Sequence, residues 1–271
     1  MDQYRVFGNP IKQSRSPFIH QKFAEQTKES LNYQNEYVEL GEFELAVNQL
    51  IKNGGKGANV TAPFKEEAMA LCDHLTDRAK LAGAVNTLSF KDGVIWGDTT
   101  DGDGLVNDLL ANDVKLTQQR ILLLGAGGAA KGVVLPLLEQ QPAKLVIANR
   151  TVSKAQAIVE QYPEQPISAC SFEAVAEQAF DVIINATSAG LNGQALPISE
   201  QVIQPNVTCY DMTYGKELTA FLQIAKQRNA AKLIDGLGML VGQAAVSFNI
   251  WRNIKPNTQK VLSLLRKEMS S

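Results

Sequence analysis

The sequence predicts an α/β fold built as two units, and three observations carry that expectation. Short apolar runs of strand length alternate with longer amphipathic stretches along the whole chain. Residues 121 to 151, ILLLGAGGAAKGVVLPLLEQQPAKLVIANRT, read as strand, glycine turn, helix and strand. The length, 271 residues, exceeds the usual size of one domain.

The elements follow in order. Tyr4 to Gly8 reads as a strand and Ser16 to Gln26 as a helix, with Pro17 in the first turn, where a missing N–H costs nothing. Tyr37 to Leu40 predicts a strand, Phe43 to Lys52 an amphipathic helix, Gly57 to Thr61 a strand and Lys65 to His74 a helix. Ala84 to Phe90 and Val94 to Gly97 make a hairpin pattern around Lys91-Asp92-Gly93, whose Asp-Gly pair suits a tight turn. Asp103 to Ala111 is a helix leading into the second unit. That unit runs through strand Ile121 to Leu124, the glycine turn with its helix, and strand Leu145 to Ala148. Helix Ser153 to Gln161 and strands Ile167 to Ala169, Phe180 to Ala186 and Val207 to Met212 come next. Helix Glu217 to Asn229 and strand Ala231 to Ile234 complete the unit. Pro136 falls inside the first of these helices and is expected to remove a backbone hydrogen bond and bend it. Two helices close the chain, Met239 to Trp251 and Thr258 to Met269. The last has a broad apolar face (Val261, Leu262, Leu264, Leu265) that should pack onto the body.

Ile121 to Leu124 is too continuous an apolar run for a half-exposed strand and suits the centre of a parallel sheet. Gly125, Gly127 and Ala130 follow in the spacing G-x-G-x-x-A. The first glycine permits the tight turn, the second lets a pyrophosphate approach the backbone, and the small third residue lets helix and strand pack. The helix that starts there aims free N–H groups and its positive dipole end at phosphates. The second strand ends in Asn149-Arg150-Thr151, where a ribose-recognising residue is expected. An acidic side chain there would suit NAD; Arg150 suits the 2′-phosphate of NADP. A charge-assisted pair of that kind is worth about 1.5–3 kcal/mol, roughly a ten- to hundredfold preference. The alternative is a solvated surface arginine.

Composition excludes several classes. A net charge of −2 gives no hint of nucleic acid or an anionic membrane as partner. No apolar run approaches the ~20 residues of a membrane span, and MDQYRVFGNP lacks the pattern of a signal peptide. Cys72, Cys170 and Cys209 are scattered and odd in number, as expected of reduced thiols in a cytoplasmic protein. His20 and His74 are the only histidines and neither joins a cluster with metal-ligand spacing, so no metal site is expected.

The chemistry is expected in loops where the two units meet. Polar clusters at predicted strand ends (Ser14 to Pro17, Asn59 to Lys65, Asn86-Thr87, Asp98 to Asp101) offer hydroxyls, amides, an ammonium and carboxylates, a set suited to a polyhydroxylated small molecule. Lys65 opens a helix, where the dipole disfavours a cation, so capping does not account for it. A lysine serving as proton donor and acceptor needs burial or a partner, and Asp101 offers one, giving a Lys–Asp dyad.

In order along the chain, FGNPIKQSRSPFIH, GANVTAPFK, AGAVNTL, GDTTDGDG, GAGGAAKG, NRTVSK, NATSAG, YDMTYG and GLGMLVGQAA resemble the motifs of the shikimate dehydrogenase family, over Val6 to Ala245. The resemblance implies an N-terminal α/β substrate domain to which the C-terminal helices return (1–101 and 237–271) and an inserted NADP-binding Rossmann domain (102–236). It also implies a reaction: 3-dehydroshikimate and NADPH give shikimate and NADP⁺, reversibly, in the pathway to chorismate and the aromatic amino acids.

Carried over by motif, Lys65 would be the acid/base and Asp101 would hold and polarise it. Ser14 and Ser16 would bind the shikimate carboxylate, with Asn59 and Thr61 lining the same pocket, Asn86 gripping another substrate hydroxyl, Gln243 closing the pocket and Tyr214 also contacting substrate. Gly125, Ala126, Gly127, Gly128 and Ala129 would hold the pyrophosphate. Asn149, Arg150, Thr151 and Lys154 would hold the adenosine ribose phosphate, and Met212 and Gly236 would flank the nicotinamide. Asp77 is a further cofactor-side candidate, with an N-terminal helix charge as the alternative. No metal is implied, and a homodimer is the assembly to test.

Two positions depart from the family pattern: Thr99 stands where Asn is usual, removing an amide beside Asp101, and Gln13 replaces a common His. Three rival readings stand beside the resemblance. A broader quinate/shikimate enzyme would accept an extra ring hydroxyl, and NRTVSK with its cations favours the NADP-dependent one. An NADP-dependent methylenetetrahydrofolate dehydrogenase would lack the serine pair and TTDG. A non-catalytic NADP-binding regulator would have lost Lys65 or Asp101, and both are present.

Overall fold

A computed structural model of the chain describes residues 1–176, 178–187 and 198–270. The chain divides into two compact units, Met1–Gly104 with Val241–Ser271, and Leu105–Leu240. The last three residues of NATSAG (188–190) lie outside the described residues.

In the first unit, β1 (Asp2–Gly8), β2 (Leu31–Tyr37), β3 (Gly55–Val60), β4 (His74–Leu75), β5 (Thr87–Lys91) and β6 (Val94–Asp98) form a mixed sheet in the order β2-β1-β3-β5-β6-β4. β1 runs parallel to both its neighbours, while β5 is antiparallel to β3 and β6. The hairpin turn forms as its sequence requires, with Asp92 at φ 52° and Gly93 at φ 78°. Helices α1 (Ser16–Thr27), α2 (Phe43–Lys52), α3 (Lys65–Ala70) and α4 (Asp77–Ala82) cover the sheet. Phe43 and Phe64 stack at 5.1 Å within a core that includes Phe7, Val60 and Leu88.

Three expectations change here. The strand read at Tyr37 to Leu40 lies instead at Leu31–Tyr37. LNYQNEY pairs only with β1, at the sheet edge, so it needs no apolar run, and the run that drew the reading falls just past its end. The helix expected to reach His74 stops at Ala70, and His74–Leu75 pair with Trp96–Gly97 as a short strand. Asp73 accepts the N–H of Ile95 at 2.7 Å and ties this segment to β6. The third is α4, a short helix absent from the reading, capped by the Thr76 hydroxyl and closed by Gly83 at φ 65°.

The chain leaves the first unit within α5 (Asp101–Ala111) and returns to it within α9 (Leu237–Arg252). The last helix, α10 (Thr258–Ser270), buries Val261 and Leu265, but Leu264 is exposed, so its apolar face is narrower than the sequence suggests.

In the second unit, β7 (Arg120–Leu124), β8 (Lys144–Ala148), β9 (Ile167–Cys170), β10 (Val182–Asn185), β11 (Thr208–Asp211) and β12 (Lys232–Asp235) are all parallel, in the order β12-β11-β10-β7-β8-β9. This is the doubly wound order, and its strand sequence reverses between β7 and β10. The centre of the sheet is apolar because both its faces are covered: Leu122, Leu124, Val146 and Ile183 are buried. Helices α6 (Gly128–Glu139), α7 (Val152–Val159) and α8 (Ala220–Gln227) supply the β7–β8, β8–β9 and β11–β12 crossovers, and α6 continues through Pro136. Among the described residues no helix is long and apolar enough to cross a membrane.

Candidate active site and nucleotide site

Sheet topology assembles one polar end in the first unit. β5 runs against β3, so Asn59 at the end of β3 pairs with Thr87 at the start of β5, and Thr87 pairs with Asp98 at the end of β6. Asn59, Asn86 and the Asp98–Asp101 turn therefore meet at one edge although far apart in sequence. Lys65 begins α3 just beyond β3, and its Nζ donates to Asp101 Oδ2 at 2.6 Å. Lys65 is 29% exposed and Asp101 17%, so the pair is shielded yet reachable. Asp101 stands in the first turn of α5, where a helix favours a carboxylate.

Asn86 fixes the other carboxylate oxygen. Its Nδ2 donates to Asp101 Oδ1 at 2.9 Å and to Thr100 Oγ1 at 3.0 Å, while its Oδ1 accepts the Thr100 N–H at 2.9 Å. That backbone donor decides the orientation of the amide. Gln243, on α9, lies at the limit of contact, its Oε1 3.5 Å from Asn86 Nδ2. Asn59 Oδ1 accepts from the Tyr33 hydroxyl at 2.7 Å, and its Nδ2 faces Ser247 Oγ at 3.0 Å and Thr87 Oγ1 at 3.1 Å. Tyr33 is also within reach of Ser16, and burial holds its phenol protonated, well above its ordinary range. Ser14 Oγ accepts the Ser16 N–H at 3.3 Å in the turn before α1, and Arg15, not a serine, is the helix cap residue. Thr61 sits against the end of β1, where a side chain on Gly8 would lie 2.5 Å from Thr61 Cγ2.

The sequence reading gave roles to Asn59, Asn86 and Gln243 and placed Thr87 and Thr100 in its polar clusters without a role, but it missed Tyr33 and Ser247, which join them. Ser247 is fully buried and one helical turn beyond Gln243, and it bridges Thr87 at 2.8 Å and Thr100 at 3.2 Å. The four-residue spacing of Gln243 and Ser247 on one helix face was the available signal.

In the second unit the glycine turn has the form that the fingerprint demands. Gly125 takes φ +107°, and a side chain there would press on Ala186 and Thr187. Gly127 and Gly128 face open space. No side chain caps α6, which leaves its first N–H groups available to an anion. This open cradle at a twelve-residue helix fits a pyrophosphate. Asn149, Arg150, Thr151 and Lys154 follow β8, the neighbour of β7, and Asn149 Nδ2 donates to Thr151 O at 2.9 Å. Arg150 and Lys154 are exposed and form no ion pair among the described residues, so both ammonium and guanidinium suit a phosphate.

Met212 and Gly236 are brought together, since a side chain on Gly236 would lie 2.1 Å from Met212 O. Asp211, missed by the sequence reading, shapes this corner. Its buried carboxylate accepts from Asn185 Nδ2 at 3.2 Å, Thr213 Oγ1 at 2.8 Å and Thr219 Oγ1 at 2.6 Å. Tyr214, assigned to substrate, belongs to this second unit, on the loop after β11. Asp77, assigned to cofactor, belongs to the first unit, where it starts α4, faces solvent and pairs with Lys80 at 3.1 Å.

Three family models match in order: the shikimate dehydrogenase substrate binding domain over residues 6–88, shikimate/quinate 5-dehydrogenase over 108–197, and the shikimate 5′-dehydrogenase C-terminal domain over 236–266. The shikimate dehydrogenase (NADP(+)) of Colwellia psychrerythraea is 57% identical over 265 residues, covering 98% of this chain and 96% of that protein. The crystal structure of an Ael1 enzyme from Pseudomonas putida superposes with a TM-score of 0.95 at 42% identity over 98% of both chains. The shikimate 5-dehydrogenase of Thermus thermophilus, solved with NADP(H) and shikimate, superposes with a TM-score of 0.89 at 29% identity, over 98% of this chain and 99% of that one. The chain belongs to the shikimate dehydrogenase family.

Proposed function

We propose that the chain catalyses the reversible, NADP-dependent interconversion of 3-dehydroshikimate and shikimate, with Lys65 and Asp101 as its acid/base pair. The relatives' names and the Thermus complex support the reaction and the cofactor. The observation that carries the assignment of roles is the 2.6 Å Lys65–Asp101 hydrogen bond, set among Asn59, Asn86 and Gln243 at one end of a sheet.

When bound, NADPH would supply the hydride for the carbonyl carbon in the reductive direction. Lys65 Nζ donates a proton to the carbonyl oxygen as negative charge develops there, and takes it back from the hydroxyl in the reverse direction. Asp101 fixes where the ammonium points and offsets its charge, while the Asn86 amide keeps the carboxylate from turning. Ser14 and Ser16 hold the substrate carboxylate, Asn59 and Thr61 line that pocket, Asn86 binds a substrate hydroxyl, Gln243 closes the pocket and Tyr214 contacts the substrate. Gly125 to Ala129 hold the pyrophosphate. Asn149, Arg150, Thr151 and Lys154 hold the 2′-phosphate, with Met212 and Gly236 beside the nicotinamide. Cys72, Cys170 and Cys209 are free thiols, in keeping with a cytoplasmic setting.

Lys65→Ala tests the roles. It should lower kcat by roughly 10³-fold or more, within the range of a general acid/base, and leave NADP⁺ affinity, read by fluorescence titration, unchanged. Lost cofactor affinity with intact kcat would remove Lys65 from the chemistry.

A further inference from the structure

Arg78 makes no motif and belongs to no candidate site, yet it carries the most extensive ion-pair network near Asp101. It is the second residue of α4. Its Nε lies 2.6 Å from Asp98 Oδ1 and its Nη2 2.7 Å from Asp98 Oδ2, a fork-to-fork pair. Its remaining nitrogen, Nη1, reaches Asp103 Oδ2. Asp98 ends β6, and Asp103 lies in the first turn of α5. One guanidinium thus grips both ends of the segment within which Asp101 supplies the carboxylate that holds Lys65.

The grip is built in depth. Asp98 Oδ1 also accepts from Thr76 Oγ1 and from the Thr99 N–H, each at 2.7 Å. Thr76 is the cap of α4, so the element that carries Arg78 is tied to the same carboxylate. The intervening Thr99 and Thr100 are buried, and the Thr100 N–H is spent on Asn86. Asp98 raises the guanidinium's affinity for its proton, as a paired, half-buried arginine requires. A lysine would not replace it, because one ammonium has no planar fork to serve two carboxylates.

We infer that Arg78 is a positioning residue for the reaction, acting through Asp101 by holding the Asp98–Asp103 turn at both ends. This rests on the assignment of Asp101 to the acid/base pair. Misplacement of a reacting group by about 1 Å costs up to roughly 10²-fold in rate, and this sets the expected size of the effect.

The test is a double-mutant cycle on the full-length chain, with kcat, KM for shikimate and NADP⁺, and thermal midpoint measured for each variant. Arg78→Ala should lower kcat about 10- to 100-fold and move KM for NADP⁺ less than about twofold. In an Asp101→Asn background the same change should cost less than about threefold more, because residues that act as a unit are non-additive. Arg78→Lys should keep the thermal midpoint but not the rate. If Arg78→Ala fails to fold, Asp103→Asn, which cuts one arm and leaves the Asp98 pair, takes its place in the cycle with the same expected non-additivity. Equal rate losses in both backgrounds, or a kcat within twofold of wild type, would overturn the inference. A wild-type kcat for Asp101→Asn alone would instead sink the reading on which it rests.

Discussion

Lys65 and Asp101 lie 36 positions apart and meet at 2.6 Å, and each was legible because it sits in a short motif at a strand end. Their supports were not. Tyr33, Ser247 and Arg78 stand in no motif, and their partners are 26, 188 and 20 positions away, a proximity that only the packing of strands and helices creates. His20 shows the same limit. Read as a lone histidine without a metal, it is fully buried, stacked on Tyr33 at 4.1 Å and within 5.4 Å of the Trp251 ring. Burial pushes its pKa down from 6.5 to about 3. The unfolded chain protonates this imidazole below pH 6.5 and the folded chain does not until about pH 3. Folding stability is therefore lost as pH falls through that window, by up to about 1.4 kcal/mol per unit. His20→Phe should flatten the fall in thermal midpoint between pH 6.5 and 4 relative to wild type. Parallel curves for the two proteins would show that His20 is not the titrating group.

At the scale of elements, the second unit was easier to read than the first. Its central strands β7, β8 and β10 are buried on both faces and announce themselves as apolar runs, whereas β2 is a polar edge strand whose pairing with β1 no local pattern reports. The short α4 carried its cap, first-turn acid and closing glycine in Thr76, Asp77 and Gly83, and its brevity hid it. The start of α6 gives a prediction of its own. Gly128 faces open space without a left-handed φ, so Gly128→Asp should be accommodated and, at the helix start, favourable for the fold by about 0.3–1 kcal/mol. The same carboxylate would stand where the pyrophosphate is proposed to sit. The thermal midpoint should hold or rise while NADP⁺ affinity falls at least tenfold; an unchanged affinity would move the phosphates elsewhere.

For the whole molecule, composition bounded the class and the ordered motifs named the family, while spacing alone did not divide the chain. The two units part within α5 and α9 rather than in linkers, so no change of composition marks the boundary. Each unit brings its own chemistry: a lysine–carboxylate pair among amides and hydroxyls in one, an open glycine cradle followed by Arg150 and Lys154 in the other. Shikimate oxidation with NADP⁺ is proposed to need both, with the exposed cations after β8 choosing the cofactor. The most direct test is the rate of NADPH formation with shikimate and NADP⁺, run beside quinate and beside NAD⁺. Rapid turnover with shikimate and NADP⁺, at least about tenfold above NAD⁺ in kcat/KM as one phosphate-binding pair allows and faster than with quinate, is the result expected. Equal turnover of quinate, or equal use of NAD⁺, would contradict the specificity argued from these residues, and folded protein that binds NADP⁺ but turns over neither substrate would contradict the catalytic claim itself.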